Sequence, residues 1–573
     1  MSATLLKFWD TDQGIPIEEF TDEESQTLSN VMSNTDSNIF AWKIGNELTP
    51  EQIGALLSRY SRTIFTGKKL FLREFLPNKD RGREFFEAWL VDYGDDSIQE
   101  MAGGLPVSCE FISNLAAKEI EESRLGSYIE KSTRYVFFDK TLPNGEFMFY
   151  KDPDILNSRY ADDYLNLMRS LFESYVKHME TMIKYMAELN PFESQGFRIG
   201  DAVVKVSELT PEIQEKCGIT EVDLKKAYDN SVKANALDLM RDYLPMATLT
   251  HVGISMNARS YENLSLRLLS SPLAECRWIG QQVFTELNKI VPSLVKRIQD
   301  KHGISFQEFL KTRTENTFNL VNQLLNNIEI NDASEKVKLV GYTGKGAENP
   351  DDTTQVILTA SILYKFSHGH SMRQLIEKAI LMPREERKKI ISAYVGDRVN
   401  RRHKPGRAFE SVEYLFDLNG RLGIFRDIQR HRICTQERQN FTVKLGFNTR
   451  KEFKDIGISD DYESKMQQVI DLFNKLHTML PFQSQYVVTF GFNTRWYYRL
   501  NARQLFHLCE LRTTPGGHPD YRKLVQDMFS AVQKVHPTVA EHMKFINLED
   551  KPLGRLESEV RIAVKKKALV AKQ

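Results

Sequence analysis

Apolar and polar positions along the chain fall mostly into helical periods. Tyr160, Tyr164, Leu167, Leu171 and Tyr175 recur one helical turn apart and predict a long amphipathic helix within 153–190. Such a stripe reads as core or interface rather than as a cofactor box. Upstream, T-P-E-Q at 49–52 opens a helix, with Thr49 as N-cap and Pro50 in the first turn. The pattern then stays largely helical to Leu90. A turn at 93–100, Y-G-D-D-S-I-Q-E, leads into the apolar run G-L-P-V-S-C-E-F-I. The stretch 116–135 begins as a helix and ends in a polar loop. Residues 190–235 read as an insertion, and a further helix is predicted from Ala274 to Arg297.

From residue 350 the pattern starts again. L-T-A-S-I-L-Y-K-F-S echoes L-L-S-R-Y-S-R-T at 56–63, and R-A-F-E at 407–410 takes the place of S-I-Q-E at 97–100. F-R-D-I-Q-R-H-R at 425–432 takes the place of A-K-E-I-E-E-S-R at 117–124. Y-Y-R-L-N-A-R-Q-L-F-H at 497–507 takes the place of G-I-S-M-N-A-R-S-Y-E-N at 253–263. A repeat this long means two domains rather than a solenoid of short units. The expected organisation is a polar arm (1–40), a first copy (40–300), a helical linker (301–336), a second copy (337–548) and a basic, fraying tail (549–573).

Composition narrows the class. Lys+Arg and Asp+Glu are equal at 77, which argues against a general nucleic-acid binder. The five cysteines are scattered without a C-x-x-C pair, so neither a disulfide framework nor a zinc site is expected. The twelve histidines show no ligand spacing, and no metal is expected. The start of the chain does not read as a signal peptide, and no apolar run approaches a membrane span, so a cytoplasmic protein is the expectation.

The densest chemistry lies at 426–442. Arg426, Arg430, His431, Arg432 and Arg438 fall within thirteen residues. On a helix, Arg426 and Arg430 would share a face, and an anion between them would turn their repulsion into attraction. The alternative is a solvated basic face. G-Y-T-G-K-G at 341–346 lacks the spacing and the Ser/Thr of a phosphate-binding P-loop. Cys434 reads as a small buried apolar residue rather than a nucleophile.

Taken together, the two copies resemble the flavin-dependent thymidylate synthases. That family is marked by R-H-R, seven residues, then S-x-R-Y, and downstream by N-A-R and L-R. The second copy has R-H-R as Arg430, His431 and Arg432, but Asn440 and Thr442 stand where Ser and Arg are expected. The first copy has Glu122, Ser123 and Arg124 at the R-H-R positions, yet keeps Ser132, Thr133, Arg134 and Tyr135 intact. Counted back from N-A-R, Arg241 of the first copy corresponds to Gln485 of the second. Leu511 and Arg512 keep the L-R pair in the second copy. In the first, Arg267 lies one position early and Leu268 sits where the Arg should be. Asp427 replaces a family Gln, and Arg426 and Arg430 are the expected partners of its carboxylate.

The resemblance implies helix-rich α+β subunits with sites shared between chains, FAD and NADPH as cofactors, and methylenetetrahydrofolate as carbon donor for converting dUMP to dTMP. It implies dUMP contacts from Glu130, Ser132, Arg134, Arg241, Arg430 and Arg512. Ser132, Arg134 and Arg512 would lie at the reacting centre, with Ser132 positioning rather than attacking. Flavin contacts are implied for Arg430, His431, Arg432, Asn501, Arg503 and His507. Losses in the two copies are complementary, so one composite site fed by both copies is expected, in a homodimer that forms a pseudo-tetramer. The alternatives are a non-catalytic nucleotide- or flavin-binding homologue and a flavoenzyme acting on another nucleotide.

Overall fold

The computed structural model describes residues 3–6, 15–18, 20–78, 97–142, 145–199, 202–212, 214, 219–325, 328–331 and 333–570. The turn residues 93–96 and Cys217 lie outside them. The architecture is α+β and helix-rich. Two four-stranded antiparallel sheets share one plan. The first is built from β1 (Ile39–Ala41), β2 (Leu105–Ser113), β3 (Ser127–Glu130) and β4 (Leu249–Met256). The second uses β5 (Val337–Tyr342), β6 (Glu413–Arg421), β7 (Thr435–Arg438) and β8 (Asn493–Asn501). Their orders are β1-β2-β4-β3 and β5-β6-β8-β7, the same arrangement used twice.

The sheets meet about a pseudo-two-fold axis. Pro245 pairs in an antiparallel bridge with Thr489, its own counterpart in the repeat. The flanking bonds are reciprocal. Met246 N–H donates to the Val488 carbonyl at 2.9 Å and Phe490 N–H to that of Leu244 at 3.0 Å. Ala247 N–H donates to Tyr486 at 3.0 Å and Gly491 N–H to Asp242 at 3.2 Å. Self-pairing of equivalent residues is the signature of an isologous contact, here within one chain. One hydrophobic core runs through both halves, and a second, smaller cluster around Trp42, Leu56 and Tyr60 belongs to the first half alone.

The predicted long helix is Ala161–Leu189, and it buries Tyr164, Leu167, Leu171 and Tyr175. Thr49 caps Pro50–Tyr60 in a capping box with Gln52. Pro292 ends the helix expected to reach Arg297, which stops at Ile290. The second half passes from Ser459–Met479 into the turn at Gln483–Val487. The first half adds a hairpin and the helix Glu221–Met240 before reaching Arg241.

Two segments differ from expectation, while the linker is helical as expected. Residues 20–40 are not a loose arm: the helix Asp22–Val31 buries Leu28 and Val31, and Ile39 and Phe40 are fully buried. Between residues 549 and 570 the chain is not a loose tail but ends in the helix Leu556–Val570. Leu556 and Val560 are buried, and Arg555 anchors in the first half. Apolar anchors at helical spacing outweigh the basic charges there. Between the halves, Lys301–Leu325 is one continuous helix.

Candidate functional site

In each half, a short helix follows the second strand of the sheet. In the first half it is Asn114–Ile120, capped by Ser113, whose hydroxyl accepts from Ala116 N–H at 2.9 Å. In the second it is Leu422–Ile428. That helix ends before Arg430, so Arg426 and Arg430 do not share a helical face. They diverge: Arg426 is buried, while the Arg430 side chain is 41% exposed.

The pseudo-two-fold contact brings the R-H-R segment of the second half against the S-x-R-Y loop of the first. Arg426 reaches across, its guanidinium 2.6 Å from Glu130. It also donates to Thr133 Oγ1 at 3.0 Å and to the Lys131 carbonyl at 3.2 Å. Lys118 lies 3.0 Å from the same Glu130 carboxylate and pairs with Glu121. Burial by itself would raise the Glu130 pKa, but the charges of Arg426, Lys118 and Arg430 overcome it and lower it to about 2.

Beside this network lies a cluster of guanidinium groups. Arg134 donates from Nε and Nη2 to both oxygens of Asp238, at 2.7 and 2.8 Å. Arg555 donates to Asp238 from the other side at 3.1 Å. Arg134 and Arg512 both approach the Tyr521 ring, 5.9 and 5.8 Å from its centroid. Arg241 is 2% exposed, and its Nε and Nη2 have no hydrogen-bond partner among the described residues. A buried guanidinium with unused donors is costly unless an acceptor arrives. Burial lowers the Arg241 pKa, and the charges of Arg134 and Arg426 add to this against Asp238 and Asp427. Gly423 permits this packing, since a Cβ there would meet Arg241 Nε at 3.2 Å.

Asp427 sits within the field of this cluster. Burial would raise its pKa, but Arg134, Arg241, Arg512 and Arg430, in that order, lower it to about 2. Of its two expected partners, Arg426 and Arg430, only Arg430 contributes to this field. Instead Arg426 turns to Glu130, because successive residues on a helix point to different sides.

His431 is a fixed acceptor. Arg512 Nε donates to His431 Nε2 at 2.9 Å, and His431 Nδ1 faces the Gln504 amide at 3.3 Å. Arginine cannot accept, so the neutral imidazole carries its proton on Nδ1, and the Gln504 amide must turn its oxygen rather than its Nε2 toward that proton. Burial first, and then the Arg512 charge, keep its pKa well below the ordinary value.

Other motif residues also make contacts within the fold. Asn501 caps the helix Ala502–Arg512, accepting from Gln504 N–H at 2.9 Å, as Asn257 does for Ala258–Leu269. Arg503 donates to the Pro405 carbonyl at 2.9 Å and to Glu410 at 3.1 Å. Arg432 pairs with Glu100 of the first half. His507 packs edge-on against His431, with centroids 5.7 Å apart. Ser132 Oγ accepts from Arg134 N–H at 3.2 Å, a turn contact that shapes the loop. The structure therefore brings Glu130, Arg134, Arg241, Arg430, His431 and Arg512 together, while Asn501 and Arg503 are engaged in capping and carbonyl contacts.

The symmetry-related cluster is different in kind. Gln485, at the place of Arg241, accepts from Phe441 N–H at 3.0 Å. Thr442, at the place of Arg134, accepts from Lys444 N–H at 3.1 Å. Leu268 is buried where an Arg would stand. Arg267 turns to Ser123 Oγ at 3.1 Å and Glu122 at 2.6 Å. So Arg267 meets the middle R-H-R position of its half, as Arg512 does in the other.

Between the halves, next to Arg432, lies a cavity of about 1020 Å³. Arg124, Ser260, Asn263, Arg432, Arg499 and Asn501 line it.

A family model described as thymidylate synthase complementing protein matches residues 49–293 and again 338–538. The chain belongs to the thymidylate synthase complementing protein family. Among curated relatives of this family member, a UPF0159 protein of Chlamydia pneumoniae is 34% identical, covering 95% of this chain and 98% of its own. A UPF0159 protein of Thermoplasma acidophilum is 31% identical over 89% and 98%. A solved UMP/dUMP methylase from Streptomyces cacaoi, bound with 5-Br dUMP, is 15% identical. It covers 36% of this chain and 93% of its own at a TM-score of 0.27, too low to bear on function. Among the described residues, no helix of this family member is long and apolar enough to cross a membrane.

Several members of the site are not part of any sequence motif. Asp238 lies on the helix that only the first half carries, and Arg555 in the segment read as a tail. Lys118 had a visible signal, since it occupies the place of Arg426 in the repeat. Tyr521 had none.

Proposed function

We propose that this chain methylates dUMP to dTMP at a single composite site, with FAD and NADPH as cofactors and methylenetetrahydrofolate as carbon donor. One observation supports this reading above others. The S-x-R-Y loop of one half and the R-H-R segment of the other converge on one basic cluster, while the related cluster has Thr442, Gln485 and Leu268 instead. Undirected decay would not gather the survivors on one side of the axis.

The phosphate of dUMP, close to a dianion, would meet Arg241 through its two unused nitrogens, with Arg134 and Arg512 flanking. Neutral His431 holds Arg512 in place by accepting from Nε. That leaves the outer nitrogens of Arg512 to the substrate and to charge developing on a pyrimidine carbonyl. The cavity lined by Arg124, Arg432 and Arg499, with Glu413 pairing Arg499 at 2.6 Å, has the size for a dinucleotide cofactor and an excess of positive charge. These side chains would hold FAD, and the flavin would supply the hydride chemistry. NADPH and the folate would have to reach the same cavity. The assembly proposed is a homodimer whose four halves form a pseudo-tetramer in the cytoplasm.

The second reading is a nucleotide- or flavin-binding homologue without turnover. It draws on Asp238 and Asp427, two carboxylates among the arginines that would meet phosphate. The decisive test is flavin per chain from visible absorbance, followed by dTMP formation with all substrates present. About one flavin per chain, bleached by NADPH, with dTMP formed, supports the enzyme. Nucleotide bound without product supports the second reading. Neither flavin nor dUMP bound overturns both.

A further inference from the structure

A second cavity, away from the arginine cluster, lies in the first half alone, on the side of the sheet that faces the helices Pro50–Tyr60 and Ala161–Leu189. Its volume is about 290 Å³, the lower end of what small-molecule sites offer. Phe111, Phe137, Phe138, Met148 and Phe172 make its walls. Lys69, Lys131 and Lys140 also line it, and among the described residues no carboxylate does, although Lys140 lies 3.5 Å from Asp139 and Lys131 donates to the Ile64 carbonyl at 3.2 Å.

His251 is the polar group inside. It is 4% exposed, packed edge-on against Phe111 at 4.6 Å and stacked on Tyr60 at 5.6 Å. Its Nδ1 accepts from Phe111 N–H at 3.0 Å. The neutral ring must therefore carry its proton on Nε2. Among the described residues nothing accepts that proton, and His251 lines the cavity. Burial, reinforced by the Lys131 charge, keeps the ring neutral.

The backbone is bent to serve this arrangement. Phe111 has φ +53°, a left-handed conformation rare for a bulky residue. It falls where the β2–β4 register slips between Cys109 and Ile112. Strain of this kind, on the order of 1–3 kcal/mol, persists where the surroundings enforce it and gathers at ligand sites.

The repeat supplies an internal control. At the corresponding positions of the second half, Arg495 replaces His251 and pairs with Asp417 at 2.8 Å. Asn419 replaces Phe111 and donates to the Ala333 carbonyl at 2.6 Å. There Arg495 and Asn419 make ordinary structural contacts, and Asn419 lines a different cavity, of about 430 Å³, within the second half.

We propose that this cavity binds a small aromatic anion, its ring among the phenylalanines and its acidic group accepting from His251 Nε2–H and the lysines. The probe is naphthalene-2-carboxylate, titrated calorimetrically into the full chain, with 2-naphthalenemethanol as the neutral match. The carboxylate should bind with Kd at or below about 1 mM, ordinary efficiency for a ligand of its size, and the alcohol at least tenfold more weakly. Met148→Trp should weaken the carboxylate at least tenfold by filling the space, and Lys69→Met should shrink the preference over the alcohol. In the wild-type chain, the His251 ring nitrogen resonances should shift on titration. That readout does not depend on the variants folding. Equal binding of acid and alcohol overturns the anionic class. Carboxylate binding that leaves the His251 resonances unmoved, or no binding at all, overturns the site.

Discussion

Glu130 of the first half and Arg426 of the second form a buried ion pair, 2.6 Å apart, across the pseudo-two-fold contact. Lys118 at 3.0 Å completes the group around the carboxylate. Removing one partner of a buried pair leaves the other charged and unsatisfied, at a cost of about 3–5 kcal/mol. Arg426→Met should therefore destabilise the whole chain by about 3 kcal/mol, the lower figure because Lys118 remains. The double variant Glu130→Gln/Arg426→Met should lose less than the two single losses added. Urea denaturation reads both. Strict additivity would show that the pair does not couple the halves.

The repeat gives the substrate assignment a built-in control. Arg134→Ala should weaken dUMP binding by roughly tenfold to a hundredfold, as expected for loss of a charge-assisted hydrogen bond of about 1.5–3 kcal/mol. Thr442→Ala, at the corresponding place in the other cluster, should leave dUMP affinity within about twofold. Calorimetric titration measures the pair. Equal losses would mean that both clusters bind nucleotide and that the single-site reading is wrong.

Much of this site was legible because a repeat compares a chain with itself. Ser132, Arg134 and Arg241 stood out as present in one copy and lost in the other, as did Arg430 and His431. What one sequence does not carry is the direction of a side chain. Arg426 and Asp427 are neighbours, yet the helix sends one to Glu130 and the other to the arginine cluster. Asn501 and Arg503 matched a motif, but the motif does not say that the first also caps a helix and lines the cavity between the halves, or that the second grips a carbonyl. Arg555 and Asp238 meet across more than three hundred residues, a contact that no local pattern encodes. The helix Asp22–Val31 was missed because polar composition outweighed its few apolar anchors, Leu28 and Val31.

Asp427 sets the charge of the proposed phosphate site. With its pKa lowered to about 2, it stays ionised through the working pH range. Asp427→Asn removes a negative charge facing Arg134, Arg241 and Arg512 while preserving shape. Affinity for inorganic phosphate and dUMP should rise about tenfold, equivalent to about 1.4 kcal/mol. The gain should not vary with pH between about 5 and 8, because a group with so low a pKa does not titrate there. Unchanged affinity would place the phosphate away from Asp427.

A second buried carboxylate group governs stability instead. Glu275 accepts from Ser113 N–H at 2.6 Å and from Tyr486 of the other half at 2.9 Å. Burial nonetheless raises its pKa to about 7. Asp152 nearby is also raised to about 7 by burial, despite accepting from Ile155 and Asp154 N–H at 3.0 Å. The sign follows from proton counts. Between the ordinary carboxylate range and pH 7, the folded chain holds protons that the unfolded chain has released. Stability is then fully present at low pH and falls as pH rises through 7. The carboxyl contribution should therefore shrink between pH 5 and pH 8, while the buried neutral His251, His431 and His518 contribute in the opposite direction below the ordinary histidine pKa. Glu275→Gln keeps the hydrogen-bonding shape without the charge, so the thermal midpoint of the wild-type chain relative to this variant should drop over that range. A difference between the two midpoints that does not change from pH 5 to pH 8 would show that Glu275 is not protonated in the fold.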